Sequence, residues 1–334
     1  MPKALILLFA LALLLLSCKE DPLFEQSPSE RSASHIKALR EQLVTAPYGW
    51  SVLYFPRTDS LLFTNPSAHI GEFEHTAEDY GYGGHAFLMA FKENGQVEMR
   101  SDASPESIAE GHVSEFSVGQ NSSTQLSFTT FNHLHRLVNE AWNASADWLY
   151  QRTDSEGQLW FRTTSYLDVA REYIVLRKIA SQEERDHLLT KSYEHRRMLE
   201  QMKFPTLSIR QGDKIFFRSN YNIQHIRGQV TQRKRYMLFL FNKRPNPIIE
   251  RYPLEMNGLG SGYVGTEQGL TFYTGFRYSK NYTFHHFQRQ GNKFVCELVK
   301  IYDPIERVEK WVSRHLYPQG QSTGIIAEIE DRGR

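Results

Sequence analysis

Few side chains in this chain have the type and spacing that specify chemistry. Thirteen histidines invite a metal reading. His133 with His135, and His285 with His286, are the tightest pairs, while His69, His75 and His85 flank the run Tyr80 to Gly84. A zinc site needs three or four ligands converging at defined spacing. The chain has no His-Glu-x-x-His helix, and adjacent residues of a strand point to opposite faces, so His285 and His286 do not share an ion. No metal and no cofactor are therefore expected. Acyl-transfer chemistry lacks its strand–turn–helix elbow around a serine. Gly258-Leu-Gly-Ser-Gly262 carries the glycines but precedes no helix, and it reads as a turn. Glycoside hydrolysis needs two carboxylates at a set separation, and spacing alone selects no pair among 38 acids. Catalytic residues are thus not assigned. Arg227 to Arg235 forms a basic cluster that reads as a solvated hairpin loop. Cys296 lies in the strand-like run Lys293 to Val299 and reads as a small buried hydrophobe.

The sharpest chemical signal is the other thiol. Cys18 follows an apolar run, Ala4 to Leu16, of 13 residues behind the cationic Lys3. That run falls short of the roughly 20 residues of a membrane-spanning helix and has the layout of a secretory signal core. Its end, Leu15-Leu16-Ser17-Cys18, resembles the bacterial lipobox, which implies cleavage before Cys18 and a diacylglycerol on its sulfur. One acyl chain binds a bilayer only marginally, whereas several hold a domain stably. Lys19, Glu20 and Asp21 resemble the lysine-plus-acids signal that sends Bacteroidota lipoproteins to the outer face of the outer membrane. The expected location is the outer membrane, lipid-anchored, at the cell surface.

Acids and bases nearly cancel, leaving a formal charge of +1, so nothing global favours nucleic acid. The 21 Phe, 17 Tyr and 5 Trp argue against disorder. Residues 1–17 read as the signal peptide and 18–27 as a tether. Ser27-Pro28-Ser29-Glu30 has the capping-box pattern of a helix start. From Gly49 the apolar period changes to two. Strands are predicted at Trp50 to Phe55, His85 to Phe91, Gln96 to Arg100, Val113 to Val118, Gln125 to Phe131, Trp148 to Gln151, Leu159 to Thr164 and Glu172 to Ile179. Asn94-Gly95 makes the second and third a hairpin. Ser181 to Glu184 opens a second, charge-dense helix. Short strands then resume, with candidates at Lys214 to Arg218, Tyr236 to Phe241, Ile248 to Tyr252, Leu270 to Tyr273, Tyr282 to Phe287 and Lys293 to Ile301. Pro304 to Leu316 reads as a closing helix. The fold class is mainly β (β-rich α+β): two antiparallel sandwich- or open-barrel-like halves joined by a charged connector helix, with an N-terminal helix. The division is 28–180 for the first half, 181–203 for the connector, 204–317 for the second half and 318–334 for a loose tail.

Aromatic residues in glycine-rich or polar surroundings are the candidate ligand contacts, because loops on rigid sheets carry binding residues. These are Tyr80, Tyr82, Trp142, Trp148 and Tyr263, with Phe276 and Tyr278 in similar settings; carbohydrate or peptide is the ligand such faces suit.

The ordered motifs Pro47-Tyr-Gly-Trp50, Gly83-Gly-His-Ala-Phe87, Gln96 to Asp102, Leu126 to Asn132 with His135, and Tyr173 to Lys178 resemble the Bacteroidota lipoprotein family known as domain of unknown function 4302. The likeness covers most of residues 20–200 and is looser afterwards. Thr129 stands where that family usually carries an acid, and Asn143 to Asp147 where it has a glycine-rich acidic stretch. The resemblance implies a non-catalytic accessory lipoprotein in nutrient capture, beside a TonB-dependent transporter and a SusD-like lipoprotein. Two other readings are a surface hydrolase of glycans or peptides, which needs a pocket with converging acids or histidines, and an adhesive surface protein, which needs a flat face.

The anchor is testable directly. Cys18→Ala should move the protein from the membrane fraction to the soluble fraction, as followed by immunoblot. A variant that still sediments with membranes would refute lipidation at Cys18.

Overall fold

The computed structural model describes residues 27–56, 83–139, 144–164, 173–219, 221–223, 225–226, 229–230, 235–241, 257–278 and 282–333. The signal, Cys18 and the following Lys19, Glu20 and Asp21 lie outside them, as does the strand expected at Ile248 to Tyr252.

Helix α1 (Pro28–Val44) starts as its sequence requires. The Ser27 side chain accepts the Glu30 N–H, and the Glu30 carboxylate accepts the Ser27 N–H at 2.8 Å. Eight strands follow: β1 (Trp50–Tyr54), β2 (His85–Phe91), β3 (Gln96–Ser101), β4 (His112–Gln120), β5 (Thr124–Phe128), β6 (Asp147–Thr153), β7 (Leu159–Thr163) and β8 (Tyr173–Lys178). Each pairs antiparallel with the next, and β1 pairs with β8, so the sheet closes. Closure removes both sheet edges, and eight strands leave an interior that side chains alone can fill. Alternation decides which ones. Trp50, Val52 and Tyr54 of β1 point inward, as do Leu159 and Phe161 of β7 and Ile174 and Leu176 of β8. Leu39 and Leu43 of α1 join that core, and Trp50 Nε1 donates to the Leu43 carbonyl at 2.9 Å. The first half is therefore a closed barrel.

Two short helices in this half escape the periodicity reading. α2 (Pro105–Ala109) lies between two predicted strands, capped by Ser104. α3 (His133–Asn139) follows β5, with Asn132 Oδ1 accepting the Leu134 N–H at 2.9 Å. It adds Leu134 and Leu137 to the barrel core.

The connector is α4 (Gln182–Gln201). Ser181 caps it as expected, but Glu184 does not complete a capping box: its carboxylate accepts the Ala180 N–H and pairs with Arg177. Beyond it, β9 (Pro205–Gln211), β10 (Lys214–Arg218), β11 (Tyr221–Ile223), β14 (Tyr236–Phe241), β15 (Asn257–Gly265), β16 (Gly269–Arg277), β17 (Thr283–Gln290), β18 (Lys293–Asp303) and β20 (Gln321–Asp331) form a second antiparallel sheet. Its order is β10-β9-β20-β18-β17-β16-β15-β14-β11, with β19 (Val308–Ser313) paired to β18. A two-residue pair, β12 (His225–Ile226) and β13 (Gln229–Val230), stands apart. The sheet curls as a half-barrel over Phe272, Phe276, Phe284, Phe287 and Phe294. Among the described residues no helix is long and apolar enough to cross a membrane.

Three expectations in this half need correction. Residues 304–316 contain β19 rather than a helix: the apparent helical spacing used Ile305, which is 91 % exposed in the β18–β19 turn. Residues 318–334 are no loose tail, since β20 lies between β9 and β18. Ile325, Ala327 and Ile329 are its buried side. Gly258 to Gly262 lies within β15, not in a turn. A later glycine of the same strand serves close packing: a Cβ on Gly265, the last residue of β15, would sit 1.8 Å from the Ser192 carbonyl oxygen of α4.

The two halves meet across α4. Leu188 and Leu189 pack against Phe55, Ala86, Leu88 and Ile179 on the barrel side and Val264 of β15. Beside this patch lies a buried charge cluster. Asp102, just after β3, is 0 % exposed. Its carboxylate accepts Arg235 Nη1 at 3.0 and 3.1 Å and the Ala86 N–H at 3.2 Å. Arg235 Nη1 also donates to the Gly84 carbonyl at 2.6 Å. Arg196 of α4 donates to the Asp102 carbonyl at 2.9 Å and to both oxygens of Glu200 at 2.9 and 3.0 Å. Tyr263 of β15 donates to Glu200 at 3.3 Å. Arg235, read from sequence within a solvated loop, is therefore buried; it holds φ +51° at the foot of β14. Burial works against the charge of Arg196, and Asp102 and Glu200 more than offset it, so its pKa rises.

Breaking this cluster on one side leaves an unpaired buried cation, which costs about 3–5 kcal/mol. Asp102→Asn should lower stability by that amount in urea unfolding. A loss below about 1 kcal/mol, the range of exposed pairs, would show that the cluster is solvated.

Candidate functional site

The outward faces of the barrel and of the second sheet do not touch everywhere. Between them lies a cleft of about 580 Å³. Its barrel wall comes from the residues that alternate with the core: Leu53 of β1, Trp160 of β7, and Tyr173, Val175 and Arg177 of β8. Its opposite wall comes from the β15–β16 turn (Thr266, Glu267, Gln268), from Thr271 and Tyr273 of β16, and from His286 of β17. Phe55, Ala86 and Leu188, all buried in the junction, form its apolar floor.

Trp160, Tyr273, Arg177 and His286 are each held by a neighbour. Trp160 donates its Nε1–H to Asp154 Oδ2 at 2.8 Å, and the Arg152 guanidinium lies 4.6 Å from its ring centre. Tyr273 packs on Phe55 with ring centres 4.8 Å apart and still leaves 42 % of its surface open. Burial and the neighbouring Tyr173 raise its phenol pKa. The barrel's Tyr173 and the second sheet's Tyr273 line the same cleft from opposite walls. Arg177 and Glu184 neutralise each other. Burial opposes the charge of Glu184, but the Ala180 N–H and Arg177 outweigh it and hold its carboxyl below the usual range. His286 shares a hydrogen bond of 2.9 Å with Thr271 Oγ1, and its ring lies 4.8 Å from that of His315. Burial lowers the His286 pKa to about 4, so the ring is neutral near pH 7.

The sequence candidates divide. Tyr80, Tyr82 and Trp142 lie outside the described residues. Trp148 and Tyr263 are 0 % exposed and are not ligand contacts. Trp148 sits in the barrel core, edge-on to Tyr54 at 5.0 Å, and Tyr263 in the second core. Phe276 is likewise core, and Tyr278 packs against it. The aromatic residues on the cleft, Trp160, Tyr173 and Tyr273, were missed. Their signal was parity: each alternates with residues that fill a core.

Among the described residues, no group of three or more His, Cys, Asp or Glu is placed to hold a metal ion. Cys296 is buried, its thiol donating to Ser313 Oγ at 3.2 Å and pushed up to about 12 by burial. The arrangement can stack a ring, exclude water from an apolar floor and hydrogen-bond at its rim.

His286 makes stability pH-dependent. Its ordinary pKa of 6.5 applies to the unfolded chain and about 4 to the folded one. Between those values the unfolded state binds more protons, so stability falls as pH falls. The shift is worth at most about 3 kcal/mol. His286→Gln should flatten the decline of melting temperature between pH 6.5 and 4, leaving the part due to His85, His133, His195 and His315, whose pKa values burial also lowers. Identical slopes for the two proteins would contradict a buried neutral His286.

A family model described as domain of unknown function (DUF4302) matches residues 20–291. The match runs on past residue 200, where the sequence motifs thin out, and covers the barrel, the connector and the second sheet through β17. No curated protein and no solved structure matches the chain. On the length of that match, the chain belongs to the domain of unknown function 4302 family.

Proposed function

We propose that this protein is a lipid-anchored outer-membrane lipoprotein that captures a small nutrient molecule in the cleft between its two sheets. In this reading it is non-catalytic and works beside a TonB-dependent transporter and a SusD-like lipoprotein, displayed at the cell surface. The observation that carries the reading is the cleft itself. At about 580 Å³ it falls in the usual range for small-molecule sites, about 300–1,000 Å³. Its walls are strands of two separately packed cores, and a buried ion cluster holds those cores in one relation. Rigid walls reduce the ordering cost of binding. The anchor at Cys18, followed by Lys19, Glu20 and Asp21, supports the location. A tether of only nine residues separates Cys18 from the start of α1, so an anchored chain would keep α1 within about 30 Å of the membrane surface.

A pull-down tests the partnership. The C-terminally tagged protein is purified from detergent-solubilised outer membranes, beside a Cys18→Ala control. The expected result is co-recovery of a TonB-dependent transporter or a SusD-like lipoprotein, absent from the control. Recovery of the tagged protein alone, from the same membrane fraction, would overturn stable docking.

A further inference from the structure

The lining of the cleft restricts what can enter it, given the binding role just proposed. Its floor is mainly apolar: Phe55, Ala86 and Leu188 are buried among apolar neighbours, with Leu53 and Val175 beside them on the barrel wall, and the Ser192 hydroxyl donates to the Gly265 carbonyl at 2.7 Å. A charge pressed against such a surface would lose its hydration without gaining a partner. The charged lining residues do not supply one. Arg177 is engaged by Glu184, and Glu184 also by the Ala180 N–H. Glu267 is exposed to solvent on the β15–β16 turn. The inserted part of the ligand is therefore uncharged.

Shape follows from the walls. Trp160 is fixed from two sides, its N–H by Asp154 and its ring by Arg152, so it presents an immobilised indole to the cleft. Tyr173 and Tyr273 come from opposite walls. A slot between two sheets, faced with aromatic rings, suits a flat ring, because rings prefer offset or edge contacts with one another. Of the polar lining, Thr271 and His286 bond to each other and Ser192 to the Gly265 carbonyl, while Gln158, Gln268 and Thr266 at the rim offer both donors and acceptors. We propose that the cleft takes an uncharged, flat ring compound bearing hydroxyl groups along one edge, the chemistry of an aryl glycoside, with the ring against Trp160 and Tyr273 and the hydroxyls at the glutamine rim.

The test is calorimetric titration of the chain from residue 19, which contains every described element of the fold. Three probes separate the features: 4-methylumbelliferyl glucoside (flat ring plus hydroxyls), maltose (hydroxyls without the flat ring) and 4-methylumbelliferyl phosphate (the same ring with charge). Val175→Trp fills the cleft from the barrel wall, and Trp160→Ala and Tyr273→Ala remove ring faces; circular dichroism verifies that each variant is folded. The expected result is saturable binding of the aryl glucoside, abolished by Val175→Trp and weakened at least about tenfold by either alanine variant, with the other two probes at least about tenfold weaker. Maltose or the phosphate binding as tightly as the aryl glucoside, and lost in Val175→Trp, would overturn this ligand class while leaving the cleft a binding site. Absence of Val175→Trp-sensitive binding for all three probes would overturn both the class and the binding role.

Discussion

The structure depends on a buried charge cluster. Asp102 and Glu200 supply two negative charges to Arg196 and Arg235, and Glu200 also pairs at the cluster's edge with the partly exposed Arg197. The ions come from three parts of the chain: Asp102 from the end of a barrel strand, Arg196 and Glu200 from the connector helix, Arg235 from the second sheet. Taking such groups out of water is costly, and their mutual attraction repays the cost only with close geometry. A sliding or rotating junction would leave guanidinium and carboxylate groups buried and unpaired. The apolar contacts of Leu188 and Leu189 are less demanding, because dispersion and burial are non-directional. The ions therefore select one arrangement of the two cores where the apolar patch would accept several. Arg235 illustrates the selection: it occupies the left-handed backbone region, unfavourable for a side-chain-bearing residue, and holds it while bonded to Asp102 and to the Gly84 carbonyl.

With the halves so placed, the cleft follows from ordinary strand alternation. A closed barrel uses one face of every strand for its interior and turns the other outward. At β1, β7 and β8 that outer face carries Leu53, Trp160, Tyr173 and Val175, more apolar than a solvated wall requires. The second sheet does the same with Thr271 and Tyr273 opposite its phenylalanine core. The connector helix keeps these faces from closing fully, and its own Leu188 becomes part of the floor. The close approach of α4 to β15 needs Gly265, where any side chain would collide with the Ser192 carbonyl.

Much of the fold was legible because its signals are local. The capping pattern at Ser27 and Glu30 sets the start of α1 within four residues of sequence. Alternation and Asn94-Gly95 place the β2–β3 hairpin. Errors arose where two periods competed or where long-range pairing decided. Ile305, Val308, Trp311 and Val312 match a helical spacing, yet pairing with β18 draws Val308 to Ser313 into a strand. Ile325, Ala327 and Ile329 alternated visibly, but only the slot between β9 and β18 turns a polar-looking terminus into a central strand. Candidate ligand aromatics chosen by polar surroundings went wrong at Trp148 and Tyr263, because neighbours in sequence do not report which face of a strand is filled.

The amino-acid sequence by itself determined the β-rich class, the helix caps, most barrel strands and the placement of Cys18 behind an apolar run, because each rests on residues within one or two turns or one hairpin of each other. Tertiary structure alone decided barrel closure, the ion cluster and the cleft. Asp102 and Arg235 are 133 residues apart, and Tyr173 and Tyr273 line one cleft only because β8 and β16 belong to sheets packed on one helix. No local pattern encodes such a meeting, since it depends on how two independently filled cores dock.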